Sequence, residues 1–208
     1  MARPVNADAS ATRARILEAA QNRFGAEGPG SVSVRDVAAH AGVSLATVHH
    51  YFGTKERLYQ ASVEAMYEEL QGLLENLDPS AMEGEDRATI LAALVSGAFA
   101  FARQHRETLR LLMRSVLDQG ELSEPLRERF QLPTLLQGAA LLHRLTGVSA
   151  LKARLSLQSL VHVVLRYALS SDTELEALTG AKGEEARTVI VVHLTELALS
   201  ALDAGEGS

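Results

Sequence analysis

Apolar residues recur at helical spacing over most of the chain, and the sharpest pattern lies between Ser33 and Phe52, SVRDVAAHAGVSLATVHHYF. Val34, Val37, Ala38 and Ala41 follow the i, i+3, i+4, i+7 rule for a helix with one buried stripe. Ser33 three residues ahead of Asp36 is the pattern of a capping box, in which hydroxyl and carboxylate each answer a free backbone N–H. Gly42 then predicts a stop, because glycine enters the left-handed conformation that closes helices without a Cβ clash. Val43 fills the corner and Ser44 caps a second helix, predicted from Leu45 to about Tyr51. Val48, Tyr51 and Phe52 turn inward in this pattern, which leaves Leu45, Ala46, Thr47, His49 and His50 facing out. Two short helices joined by so tight a turn form a helix-turn-helix, whose second helix enters the major groove of DNA.

The same periodicity places the other elements. A first helix is predicted to start near Asp8 or Ser10 and reach about Gly25, with Ile16, Leu17, Ala20 and Phe24 on one face. Another runs from Thr54 to about Leu77, followed by an acidic link over 78–86. Further helices are expected over 86–104, 105–118, 124–147, 148–170, a short one around 174–178, and a last one over 184–202. Pro125 and Pro133 predict a kink or split in the third of these, 124–147. No strand pattern competes, so the expected fold class is all-α: an N-terminal three-helix domain with the helix-turn-helix, plus a larger helical domain. The domain boundaries read as a flexible arm over 1–9, the reader over 10–54, the larger domain over 55–203 and a disordered tail over 204–208.

Composition agrees with helices: 47% of the residues are hydrophobic, only 4% are aromatic, and there is no Trp. The absence of cysteine excludes disulfides and thiolate metal sites. The first fifteen residues lack the apolar core of a signal peptide, and the longest nearly apolar run, 90–102, is too short for a bilayer, so a cytoplasmic protein is expected. The net charge of −6 opposes DNA binding until it is divided along the chain. Residues 1–60 carry seven Lys or Arg against five acids, and residues 61–208 carry 13 against 21. The basic excess sits with the helix-turn-helix, which turns that end towards phosphate.

From about Thr12 to Tyr59 the chain resembles the N-terminal domain of the tetracycline-repressor (TetR) family of transcriptional regulators. Ile16, Leu17, Ala19, Ala20 and Phe24 carry the likeness, with Gly28, Val34, Val37, Ala38, Ala41 to Ser44, Thr47, Tyr51, Phe52, Lys55 and Leu58. The resemblance implies a homodimer that binds a palindromic operator, most often as a repressor, and is released by a small-molecule inducer. Among the residues expected at DNA, Arg35 matches a position where the family can place a base-reading arginine. Ser33, Thr47, Tyr51 and Lys55 match positions that hold phosphate. Ser44, Leu45, Ala46, His49 and His50 complete the expected interface, with His49 standing where the family often has tyrosine. Protonation of His49 or His50 is expected to tighten DNA binding mildly below about pH 6.5.

Other candidate sites rest on the same resemblance. An inducer pocket is expected among Phe99, Phe101, His105, Leu109, Met113, His143 and Arg166, for an apolar or amphipathic effector. Wide apolar stripes on the last two long helices suggest a four-helix bundle across a two-fold axis, through Leu157, Leu160, Val161, Val164, Leu165, Ile190, His193, Leu194 and Leu197. No metal, cofactor or catalytic residue is expected: no two histidines stand at helical zinc-site spacing, and no G-x-S-x-G, P-loop or dinucleotide fingerprint occurs. An all-helical enzyme and a protein-binding adaptor remain the rival readings.

Overall fold

The structure is a computed structural model that describes residues 5–77, 82 and 84–203. Its helices are α1 (Val5–Glu27), α2 (Val34–Ala41), α3 (Leu45–Phe52), α4 (Lys55–Asn76), α5 (Arg87–Gln104), α6 (Arg106–Gln119), α7 (Glu124–Leu126), α8 (Leu132–Thr146), α9 (Ala150–Ala168), α10 (Asp172–Thr179) and α11 (Gly183–Asp203). No strand occurs among the described residues, so the all-α reading stands. Two compact units emerge, residues up to 69 with 107–127, and residues 70–106 with those from 128 onward. The structure thus carries the first unit along α4 beyond residue 54 and adds the distant α6 to it.

In the first unit, Ile16, Phe24, Val37, Val48 and Leu58 are essentially inaccessible to solvent and meet in one core with Leu17, Ala20, Ala38, Ala41 and Phe52. Each large side chain buried this way contributes about 1.5–3 kcal/mol. Leu111 of α6 completes the core. Gly25 explains how α6 comes so close: a Cβ there would fall 2.3–2.6 Å from the Cβ, carbonyl oxygen and carbonyl carbon of Glu107. Only a residue without a side chain fits. Gln21 Nε2 donates to the Ser62 carbonyl at 2.9 Å, tying α1 to α4.

The second unit is a bundle in which α9 packs on α5, α8 and α11, and α10 on α11. Ala186, Ile190, Leu194, Ala198 and Leu202 form the buried stripe of α11 at a spacing of four. Arginines close the C-terminal end of α9, where helical carbonyls lack intrahelical partners. Arg103 Nη1 donates to the carbonyls of Ala168 and Ser170 at 3.2 and 2.9 Å, and its Nη2 to Asp172 at 2.5 Å. Arg106 Nη2 donates to the carbonyls of Leu169 and Ser170 at 3.2 and 3.0 Å.

Three expectations are corrected or sharpened. Helix α1 begins at Val5, not near Asp8 or Ser10, so residues 5–9 are helix and not a free arm. Residues 1–4 of that arm, most of the 78–86 link and the 204–208 tail lie outside the described residues. The expected split near Pro133 takes the form of a π-helical turn over Arg127–Gln131. Proline cannot donate the i→i−4 bond, and Pro133 instead occupies the first turn of α8, where no such bond is required.

Candidate nucleic-acid interface

The interface is built from two caps and a glycine corner. Ser33 is the N-cap of α2, and its Oγ accepts from the Asp36 N–H at 3.2 Å while the Asp36 carboxylate accepts from the Ser33 N–H at 2.8 Å. The Ser33 hydroxyl and N–H hold the Asp36 carboxyl below the usual carboxylate range, with Arg23 and Arg35 adding to the effect against a smaller desolvation. Gly42 ends α2 at φ 65°, ψ 38°, and the Val43 N–H donates back to the Ala38 carbonyl at 3.0 Å. Ser44 then caps α3: its Oγ accepts from the Thr47 N–H at 3.0 Å and lies 2.8 Å from the Thr47 hydroxyl. These bonds set the angle between α2 and α3 and hold the start of α3 rigid.

On this frame Val48 and Phe52 are buried, Ala46, His49 and His50 are exposed, and Leu45, Thr47 and Tyr51 are half-buried at the edge. Arg35 and Ser33 are exposed at the start of α2, and Lys55 is half-buried at the start of α4. All ten expected DNA contacts lie in the first unit, around α3 and the starts of α2 and α4. Two details were not foreseen. The Arg13 guanidinium stands over the Phe52 ring, 5.6 Å from its centroid, so it packs on the reader. His49 Nδ1 lies 2.6 Å from the carbonyl oxygen of Gly53. A histidine four residues before a helix-ending glycine is the signal that could have found this bond.

The other candidate residues fare differently. Val164, Ile190 and Leu194 are buried within a single chain, at 7%, 4% and 0% exposure, so the expectation that they face a partner is corrected: they are core. Leu157, Leu160 and Leu165 are half-buried, while Val161, His193 and Leu197 are exposed. The expected pocket residues divide between the two units. Leu109 and Met113 belong to the first unit and the rest to the second. The Phe101 and His105 rings stack at 4.3 Å, His143 Nδ1 bonds the Val148 carbonyl at 2.6 Å, and Arg166 bonds Glu174 and the Ser170 hydroxyl, both at 2.6 Å. His143 and Arg166 are thus bonded at the ends of their helices. A crevice of about 420 Å3 opens instead between α5 and α11, lined by Phe99, Arg103, Arg187, Thr188, Val191 and Val192 among others.

A capped helix-turn-helix with a polar outward face, ahead of a helical bundle, defines a DNA-reading class of protein. Residues 16–62 match the family described as bacterial regulatory proteins, tetR family. Over this stretch, about a quarter of its length, the chain is similar to the N-terminal domain of that family. It is 36% identical over 116 residues to the HTH-type transcriptional regulatory protein RaaS of Mycobacterium tuberculosis, a match covering 56% of this chain and 50% of that protein. It is 33% identical over 97 residues to the HTH-type transcriptional regulator BetI of Brucella canis, covering 47% and 48%. The chain thus spans about half the length of these relatives. In fold it is similar to a tetR-family transcriptional regulator from Streptomyces coelicolor (TM-score 0.66, 19% identity, 92% of this chain and 80% of the other). Salmonella enterica GusR is similar over 98% of this chain and 99% of its own, with TM-score 0.65 and 18% identity. Among the described residues, no group of three or more His, Asp or Glu could hold a metal, and no single helix is long and apolar enough to cross a membrane.

Proposed function

We propose that the chain is a DNA-binding transcriptional regulator, acting as a homodimeric repressor on a palindromic operator and released by a small molecule. The observation that carries this reading is the doubly capped helix-turn-helix, whose exposed face holds Arg35, Ala46, His49 and His50, with Thr47 at its edge, over a packed core. Arg35 pairs with guanine in the major groove, Ala46 and Thr47 meet a thymine methyl, and Lys55 meets phosphate at a helix start. Two copies are required because one short helix reads too few bases, and a two-fold dimer matches two half-sites. The exposed Val161, Val189, Val192 and Leu197 on α9 and α11 support such a pairing.

The crevice between α5 and α11 is the better candidate for the effector, since its volume lies in the range of ligand sites and its wall mixes Phe99 and two valines with two arginines. An effector that releases DNA must be bound less tightly by the DNA-bound protein, by the same factor by which it weakens DNA binding. Selection of bound sequences from a random duplex pool tests the function. Wild type should enrich a palindrome, and a Thr47→Ala, His50→Ala, Lys55→Ala variant should lose it. Enrichment that survives in the variant overturns the assignment of these contacts, and none for either protein at low salt overturns the reading and favours a protein-binding adaptor.

A further inference from the structure

The geometry points to His49 as a base reader whose preference is set by a fixed tautomer: it accepts a hydrogen bond from an adenine or cytosine amino group when neutral, and turns to guanine or phosphate when protonated. This rests on the proposed reading of DNA by α3 and goes beyond it by assigning a hydrogen-bond sense to one side chain. His49 Nδ1 lies 2.6 Å from the Gly53 carbonyl oxygen, which can only accept. Nδ1 must therefore carry the proton, because two lone pairs at that distance repel. In the neutral ring the remaining nitrogen, Nε2, is then a bare acceptor on an exposed residue. Such a group cannot bond a phosphate oxygen, nor the O6 and N7 acceptors of guanine. It suits adenine N6 or cytosine N4, the amino donors of the major groove.

Protonation adds a donor at Nε2 without breaking the bond to Gly53. The same side chain would then prefer guanine O6 or N7, or a phosphate. The charged groups on the surrounding elements are Arg13 on α1, Arg35, Asp36 and His40 on α2, His50 beside it, and Lys55, Glu56 and Arg57 at the start of α4. Arg57 is the cation that comes closest to the Gly53 corner, with Nη1 3.9 Å from where a Cβ would stand at Gly53. The acids are engaged elsewhere, Asp36 with Ser33 and Glu56 with Thr54 and its own N–H.

Parallel selections at about pH 8 and about pH 5.5, on either side of the ordinary histidine range, test the assignment with wild type, His49→Ala and His49→Gln. Wild type should prefer A or C at one position of each half-site at the higher pH, by about tenfold, a preference lost in His49→Ala. At the lower pH that position should move towards G or lose its preference while overall affinity rises. His49→Gln, whose amide offers an acceptor and a donor at every pH, should hold the contact without the pH dependence. Imidazole 15N shifts of the free protein should show an Nδ1–H tautomer for His49. An Nε2–H tautomer, a His49-dependent preference for G at about pH 8, or one consensus shared by wild type and His49→Ala at both pH values overturns the inference while leaving the DNA reader intact. No enrichment by wild type at either pH overturns the DNA reading and the inference together.

Discussion

The two units of this chain solve the same packing problem in opposite ways. The first buries most of its apolar surface: α1, α2, α3, α4 and α6 share one core, Leu117 on α6 is its one large hydrophobic left exposed among the described residues, at 79%, and what remains outside on α2 and α3 is polar apart from Ala39 and Ala46. The second has a buried core of its own yet leaves Leu151 at 58%, Leu155 at 62% and Leu178 at 61% exposed, with Val161, Val189, Val192 and Leu197 also outside. A unit that reads a polar surface must itself be rigid and finished. A unit with apolar residues left over is suited to meeting another surface.

The contrast breaks most sharply at Gly25. In Gly25→Ala the new methyl would collide with the backbone of Glu107, which cannot swing aside as a side-chain end can. We expect a loss of about 2–3 kcal/mol by denaturant unfolding, concentrated in the first unit, with hydrogen exchange accelerated at α1 and α6 first. A loss spread evenly over the second unit would mean that the two are not separately packed. The corresponding lesion in the second unit is Arg103→Met. It keeps an apolar stem but strips the bonds to Ala168, Ser170 and Asp172. About 1–3 kcal/mol should be lost, because two helix-end carbonyls would be left without that donor.

These positions also show what the sequence could disclose. Both helix-turn-helix caps, the Gly42 corner and the inward stripe of Ile16, Leu17, Ala20 and Phe24 were legible, since each depends on neighbours within about one turn of helix. Nothing near Gly25 announces Glu107, about eighty residues on, and nothing near Leu58 announces Leu111. The same limit explains Ile190 and Leu194. Periodicity identified an apolar stripe but carries no information on whether a neighbour in the same chain or a second chain covers it. Nor does the pattern disclose that His143 and Arg166, polar groups amid apolar helices, are each bonded at a nearby helix end.

Acid should weaken both units. In the second, burial alone would raise Asp172, but the charges and hydrogen bonds of Arg103 and Arg187 outweigh it and hold the carboxyl low. Glu174 is held low by Arg166 and Ser170, Glu176 by Lys182 and the Gly183 N–H, and Asp86 by its bonds to Thr89. The first unit has Asp36 and Glu56 in the same condition. A carboxyl depressed in the folded state stabilises it above the ordinary carboxylate range, and that contribution disappears as pH falls through the depressed value. Below about pH 4 the amides of α10 and α11, beside Asp172, Glu174 and Glu176, should therefore lose protection, and hydrogen exchange followed down the pH scale checks it. Protection of α10 and α11 that holds unchanged to about pH 2 would show that these contacts do not limit acid stability.

The smallest effect on folding is expected where the proposed assembly depends most. Val161 on α9 and Leu197 on α11 are 39% and 36% exposed, so neither contributes a full core side chain to its own chain. Val161→Ser and Leu197→Ser should each change the stability of the dilute, monomeric chain by no more than about 0.5 kcal/mol. If α9 and α11 meet a second copy, the pair together should raise the dimer dissociation constant by at least about tenfold in sedimentation equilibrium, since each side chain is then deleted twice across the two-fold axis. Operator affinity should fall with it, because DNA contacts on one head no longer hold the other near its half-site. An unchanged dimer would move the interface to the other exposed leucines, Leu151 and Leu155 at the opposite end of α9, and would leave the contrast between a finished unit and an open one standing on different residues.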